Sequence, residues 1–255
     1  MYKVDLNSDL GESFGAYKIG MDEAVIAHVS SANVACGFHA GDPLVMEKTV
    51  AACRAAGVAV GAHPGFPDVM GFGRRNMACS PKEIKAYVQY QVGALLAFTA
   101  AQGVELQHVK PHGALYNMAA KDFDLALAIA QGVAAAAPKA ILLGLAGSKL
   151  LEAGRQAGLR VASEVFADRA YQADGSLVPR SKPGAVIHDK DEAIARTIRM
   201  VTEGKVTAVT GEEVSIDAHS ICVHGDNPSA VEFVKNIRAR LEAEGGTIAP
   251  IADIV

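Results

Sequence analysis

Residues 31–63 read SANVACGFHAGDPLVMEKTVAACRAAGVAVGAH, in which two short apolar segments flank a longer alanine-rich one. The segments 31–36 and 58–63 have the length of buried strands, whereas the segment between them has the length of a helix. Asp42 precedes a proline, as a helix N-cap precedes a first-turn proline, and Gly57 suits the left-handed residue that ends a helix. The run therefore predicts a strand–helix–strand unit with parallel strands and a right-handed crossover.

The same unit recurs along all 255 residues of the chain. Strands are predicted at residues 2–7, 31–36, 58–63, 105–110, 140–146, 160–166 and 220–224. Helices are predicted at residues 21–28, 43–56, 80–102, 122–136, 148–157, 189–203 and 228–243. These units predict one α/β domain over residues 1–255, a TIM-like (β/α) barrel with seven strands. A doubly wound open sheet is the alternative, and residues 206–217 are expected to project as a β-hairpin.

Composition narrows the class of protein. The chain has 24 Lys+Arg against 28 Asp+Glu, a formal net charge of −4, and half of its residues are hydrophobic. A mild acidic balance without a basic tract argues against nucleic acid or an anionic membrane as the main partner. The uncharged stretch 86–104 contains glutamines and a glycine, so a buried helix is expected there. Four scattered cysteines and the absence of a signal-like N-terminus predict a cytoplasmic protein with free thiols.

Polar side chains gather where the predicted strands end. Parallel α/β folds build their sites at the carboxyl ends of the strands, so these residues are the candidates for the site. The candidate catalytic residues are Asp9, Glu12, His39, His63, Lys110, His112, Glu164 and His224. The candidate substrate- or phosphate-binding residues are Asn7, Asp42, Arg74, Arg75, Arg169 and Asp226.

Imidazole and carboxylate groups at one rim support two kinds of chemistry. They can act as general acids and bases near neutral pH, and they can also bind Zn²⁺ or a similar ion. The chain contains no H-E-x-x-H segment, and no G-x-S-x-G segment lies at a predicted strand-to-helix turn. A helix-borne zinc motif and a serine-hydrolase nucleophile are therefore disfavoured, and the need for a divalent metal stays open.

Six segments of the chain resemble the LamB/YcsF family, whose members serve as the A component of prokaryotic 5-oxoprolinase. They are residues 5–13 (DLNSDLGES), 32–43 (ANVACGFHAGDP), 61–68 (GAHPGFPD), 71–75 (GFGRR), 109–117 (VKPHGALYN) and 164–171 (EVFADRAY). The likeness spans nearly the whole chain. It implies a fold similar to the seven-stranded barrel of the glycoside hydrolase/deacetylase group.

The resemblance also implies an activity, the ATP-dependent opening of 5-oxo-L-proline to L-glutamate with release of ADP and phosphate. It implies that subunits B and C are partners of this chain. Whether ATP binds to this chain or in part to a partner stays open, as do a divalent metal and a homo-oligomer.

The roles expected for this reaction follow from the chemistry of each group. The base that activates water is one of Asp9, Glu12 and His63. The cations that hold phosphate or the substrate carboxylate are Lys110, Arg169 or the Arg74–Arg75 pair. The imidazoles that orient or protonate reacting groups are His39, His112 and His224. Two alternatives stay open: a non-catalytic scaffold for the partners, and a metal-dependent deacetylase or carbohydrate hydrolase with Asp9, His39 and His63 as ligands.

Overall fold

The computed structural model describes residues 2–223 and 228–255 and contains a closed barrel of parallel strands. The strands are β1 (Tyr2–Leu10), β2 (Ser31–Ala35), β3 (Ala59–His63), β4 (Leu106–Val109), β5 (Ile141–Leu145), β6 (Val161–Phe166), β7 (Lys205–Thr207), β8 (Glu213–Ser215), β9 (Ser220–Cys222) and β10 (Gly246–Ile248). Strands β1 to β6 follow one another round the barrel, and β9 closes it by pairing with both β6 and β1. The predicted seven-stranded TIM-like barrel is confirmed. The open-sheet alternative is wrong, because β9 joins the two ends of the sheet.

Three short strands lie outside the barrel ring. β7 and β8 form an antiparallel hairpin with Val206 opposite Val214, which confirms the hairpin expected in this region. β10 pairs in parallel with the first residues of β1, so β1 contacts β10 through Tyr2–Val4 and β9 through Asp5–Asn7. This three-residue strand was not predicted from the sequence.

Helices connect the strands on the outside of the barrel. They are α1 (Asp22–Val25), α2 (Pro43–Ala56), α3 (Pro81–Ala101), α4 (Gly113–Ala119), α5 (Phe123–Ala136), α6 (Lys149–Gln156), α7 (Lys190–Glu203) and α8 (Pro228–Ala243). Six of them match the predicted segments to within one or two residues. The predicted helix 21–28 is instead α1 followed by a 3₁₀ turn, Ile26–His28, and α4 was not predicted. Among the described helices, none is long and apolar enough to cross a membrane.

The apolar core lies between the barrel and its helices, while the barrel interior is polar toward one end. Outward-facing strand residues such as Leu6, Val34 and Val60 are fully buried in one large apolar cluster. The opposite end of the interior is apolar: Ile141, Leu143 and Ala162 pack against Ile251 from the C-terminal 3₁₀ turn, Ile251–Asp253. The C-terminus thus plugs the amino-terminal end of the barrel.

His108 of β4 occupies the middle of the barrel opposite a glycine. A Cβ atom at Gly61 would overlap the His108 ring, so the barrel accommodates this imidazole because β3 has no side chain there. The His108 Nε2–H donates to Oδ1 of Asn33 at 2.6 Å, and the Gln107 side-chain amide donates to Nδ1 at 3.1 Å. Both ring nitrogens are satisfied in the neutral form. Burial lowers the pKa of His108 to about 3.

Candidate functional site

Lys110 directly follows β4 and lies between two carboxylates inside the barrel mouth. Its Nζ is 3.0 Å from Oδ1 of Asp9 and 2.8 Å from Oε1 of Glu164. Burial by itself would lower the pKa of Lys110, but the neighbouring carboxylates outweigh it and hold that pKa well above its ordinary value. The ammonium group is therefore charged, and it orients both carboxylates.

Glu164 is fully buried and has a partner on each oxygen. Oε1 accepts from Nδ2 of Asn7 at 3.0 Å as well as from Lys110, and Oε2 accepts from the Tyr116 hydroxyl at 2.6 Å. Burial and the adjacent carboxylate raise the pKa of Tyr116 well above its ordinary value, so the phenol stays a donor. A buried carboxylate needs a hydrogen-bond or ion-pair partner on each oxygen, because burying an unpaired carboxylate greatly lowers the free energy of unfolding.

Four neighbouring strands deliver a second cluster beside Lys110. Glu12 follows β1, His39 follows β2, His63 ends β3 and His112 follows β4. The loop after β2 turns sharply because Gly41 adopts a positive φ of 78°, and a Cβ there would lie 2.7 Å from the Ala35 carbonyl oxygen. This turn folds the His39 imidazole back over the barrel mouth.

The four side chains of this cluster are in contact. Oε1 of Glu12 is 3.1 Å from Nε2 of His39 and 3.4 Å from Nδ1 of His112, and that Nδ1 is 2.9 Å from Nε2 of His63. The rings of His39 and His112 are stacked with centroids 3.7 Å apart. Burial lowers the pKa of both well below its ordinary value, so both are neutral. One ligand atom from each residue lies within 4.8 Å of the others, which suits a metal ion.

The loop at residues 71–75 covers the imidazoles. Phe72 has a φ of 54°, in the left-handed region that side chains other than glycine rarely adopt, and its carbonyl oxygen is 2.8 Å from Nε2 of His112. Arg74 lies over the Phe72 ring, 5.1 Å from the ring centroid. Arg75 instead binds Asp68, which lowers the pKa of that carboxyl to about 2.

A cavity of about 530 Å³ opens beside these groups, a volume typical of a small-molecule site. Its walls carry acidic, imidazole and guanidinium groups. The ionisable lining residues include Asp9, His63, Lys110, His112, Arg74, Arg169 and Arg180. Arg169 is buried; it donates to the carbonyls of Ala185 and Val178, and burial lowers its pKa to about 10.

The structure brings most of the candidate residues together. Asn7, Asp9, Lys110 and Glu164 form one hydrogen-bonded network. Glu12, His39, His63 and His112 form the adjacent cluster. Arg74 and Arg169 line the cavity, whereas Asp42 and Arg75 do not. Both carboxylate oxygens of Asp42 accept backbone N–H groups, at the start of α2 and at Gly15. His224 and Asp226 lie outside the described residues.

Three groups at this site were missed from the sequence. Asn33 donates to both Asn7 and Asp9, at 2.7 and 2.8 Å. Tyr116 lies four residues after His112, one turn along the unpredicted α4, and that spacing was the signal for it. Phe72 contributes a backbone carbonyl, for which side-chain identity provides no signal.

Comparison with known proteins identifies close relatives over the whole chain. The model of the LamB/YcsF family matches residues 4–255. A protein of Alkaliphilus metalliredigens, named as the A component of 5-oxoprolinase, is 65% identical over 244 residues, covering 96% of this chain and 95% of that protein. One of the same name from Pyrococcus furiosus is 57% identical and covers 99% of both chains. The crystal structure of a lactam utilization protein from Thermus thermophilus has a TM-score of 0.92 at 51% identity, covering 97% of this chain and 99% of that one.

Proposed function

The chain belongs to the LamB/YcsF family, and on that basis we propose that it is the A component of an ATP-dependent 5-oxoprolinase. The observation that carries the proposal is the 65% identity over nearly the full length to a protein named as that component. The proposal includes subunits B and C as partners that share in binding ATP. Because the reaction consumes ATP, we place it in the cytoplasm.

The proposed reaction overcomes the stability of a lactam. Transfer of the γ-phosphoryl group of ATP to the lactam oxygen forms a C–O–P bond and releases ADP. Water then adds to the carbonyl carbon of the lactam, which now carries the phosphorylated oxygen. The C–N bond breaks as the nitrogen takes up a proton, and an acyl phosphate remains. A second water hydrolyses this acyl phosphate to L-glutamate and phosphate. Both additions of water need a proton acceptor near the substrate carbon.

We assign that proton acceptor to Asp9. Its carboxylate lines the cavity, with the side chain 18% exposed. Lys110 and Asn33 both donate to its Oδ1, which fixes the orientation of the group, while its Oδ2 lies 3.3 Å from Nε2 of His63. Glu164 acts one step further away, because it holds Lys110 rather than lining the cavity. Lys110 and Glu164 are thus positioning residues in this proposal.

Among the arginines predicted from the sequence, Arg74 is the one best placed to bind the carboxylate of 5-oxoproline. Two donors of Arg169 already serve backbone carbonyls, and Arg75 is bound to Asp68. Arg74 lines the cavity from the loop that covers the imidazoles. A guanidinium–carboxylate contact of this kind contributes about 1.5–3 kcal/mol.

The test is glutamate release from 5-oxoproline and ATP by the reconstituted complex. We expect ATP-dependent turnover by wild type and a fall in kcat of about 100-fold or more for Asp9→Asn, the typical range for loss of a general base. Asp124→Asn, the same change at an exposed site in α5, is the matched control and should retain the wild-type rate. Turnover by Asp9→Asn equal to that of the control would reject the assignment of Asp9. A wild-type complex that forms no glutamate would reject the function itself.

A further inference from the structure

Two hydrogen bonds to backbone carbonyls determine which nitrogens of His63 and His112 carry hydrogen. Nδ1 of His63 is 2.8 Å from the carbonyl oxygen of Lys110, and Nε2 of His112 is 2.8 Å from that of Phe72. A carbonyl oxygen only accepts, so each of these nitrogens is the N–H of its ring. When each ring carries that hydrogen alone, the remaining nitrogens, Nε2 of His63 and Nδ1 of His112, present lone pairs. These two atoms face each other at 2.9 Å.

Two lone pairs at this distance repel unless a cation lies between them. Glu12 adds a third electron-rich atom, since its Oε1 is 3.4 Å from Nδ1 of His112. The fourth member of the cluster, His39, has a different role. Its Nε2 is 3.1 Å from the Glu12 oxygen, and its ring lies within 3° of parallel to that of His112. Two parallel stacked rings cannot both direct their lone pairs at one ion, so His39 acts as a donor to Glu12.

We propose that Glu12, His63 and His112 bind a divalent metal ion of the zinc type, with His39 orienting the carboxylate. Two imidazole nitrogens and one carboxylate oxygen are a ligand set found in catalytic zinc sites. In such sites the fourth coordination position of the metal is open to water or substrate. Tetrahedral bonds of about 2.0–2.1 Å place ligand atoms about 3.3 Å apart, and the separations of 2.9 and 3.4 Å at His112 lie on either side of that value. The carbonyls behind His63 and His112 supply the outer-shell hydrogen bonds that orient such ligands. This inference goes beyond the proposed function and does not rest on it.

The test uses the purified full-length chain without ATP, 5-oxoproline or its partners. After treatment with a chelator and desalting, the chain is titrated with Co²⁺ while visible absorption is recorded, and Zn²⁺ is then added in competition. We expect saturation at a single equivalent of Co²⁺, with the absorption of a four-coordinate site, and full displacement by Zn²⁺. His63→Ala and His112→Ala should weaken binding by at least about 100-fold, more than loss of an outer-shell partner does. His188→Ala removes an exposed imidazole and should bind like wild type.

Several outcomes would overturn the proposal. Wild type that takes up no Co²⁺ or Zn²⁺ would mean that a proton, not a metal, lies between the two nitrogens. Binding that survives both histidine substitutions would place the ion elsewhere. Glu12→Gln retains the shape of the side chain and loses its charge, so it tests the third ligand even where an alanine variant does not fold. Wild-type affinity in folded Glu12→Gln, checked by circular dichroism, would also contradict the proposed ligand set.

Discussion

Acid should destabilise this barrel through His108, and glutamine at that position should remove the effect. His108 is fully buried. Its Nδ1 accepts from the Gln107 amide, and its Nε2–H donates to Asn33. Protonation of Nδ1 would leave two donors, the Nδ1–H group and the Gln107 amide, facing each other with no acceptor between them. Burial, and to a smaller extent the charge of Lys110, lower the pKa of His108 to about 3. Between pH 6.5 and pH 3 the unfolded chain is therefore protonated at His108 while the folded chain is not.

The sign and size follow from proton linkage. A histidine with an unfolded pKa of about 6.5 and a folded pKa of about 3 contributes stability above pH 6.5, and this is lost as the pH falls toward 3. Between pH 7 and pH 5 the loss is about 2 kcal/mol. Asp5 acts in the opposite direction, because burial raises its pKa to about 6 and its protonation restores about 1 kcal/mol over the same interval. Comparison with a variant at position 108 isolates the histidine, since Asp5 is common to both proteins.

The assay is urea unfolding at pH 7 and pH 5, followed by far-UV circular dichroism. The free energy of unfolding of wild type should fall by about 2 kcal/mol more than that of His108→Gln over this interval. Glutamine retains a side-chain amide that can donate to Asn33. His188→Gln, at an exposed position, should follow wild type at both pH values. Equal changes for wild type and His108→Gln would refute the reasoning, whatever the stability of the variant at pH 7.

Three further substitutions test the packing and hydrogen bonding inside the barrel. Gly61→Ala forces a methyl group into the His108 ring and should lower the free energy of unfolding by about 1–3 kcal/mol, measured by urea unfolding at pH 7. Tyr116→Phe removes the hydroxyl donor of a fully buried carboxylate, Glu164. It should cost about 1–3 kcal/mol in the same assay, and an unchanged midpoint would show that another donor replaces the phenol. Ile251→Ala empties the apolar plug and should cost about 2–5 kcal/mol, with a lower thermal midpoint as the readout.

The fold was predictable where local signals agree with the tertiary structure. Ser80 and Glu83 form the capping box that their spacing indicates, with Ser80 N–H donating to the Glu83 carboxylate at 2.7 Å. The two-residue period of a strand puts Asp5, Asn7 and Asp9 of β1 on one face, and that face lines the barrel interior, where Lys110 donates to Asn7 and Asp9. β10 was missed because only three residues pair, and their position depends on the edge of β1 left open below β9. That edge exists only once the barrel has closed.

The site was predictable as a location but not as a set of contacts. Strand ends converge in any parallel barrel, which is why residues as distant as Glu12 and His112 could be assigned to one rim. Adjacent residues can nevertheless diverge: Arg74 reaches the cavity while Arg75 turns to Asp68. Asp42 was a candidate ligand-binding residue, yet its carboxylate caps α2 with one oxygen and accepts from the Gly15 N–H with the other. Turn geometry determines these outcomes, and residue type alone does not encode it.

The charge distribution explains why this rim needs cations beyond its own lysine. Asp9 and Glu164 contact one ammonium group, that of Lys110, and Glu12 lies in the adjacent cluster, where burial lowers the pKa of His39 well below its ordinary value. Such an excess of negative charge would repel both a carboxylate substrate and a phosphoryl group. Arg74 brings one positive charge to this side, from the loop that covers the imidazoles. A divalent ion held by the Glu12 cluster would reverse the sign of the charge there. The proposed metal and the proposed anionic substrates are therefore electrostatically complementary, although each is tested by a separate measurement.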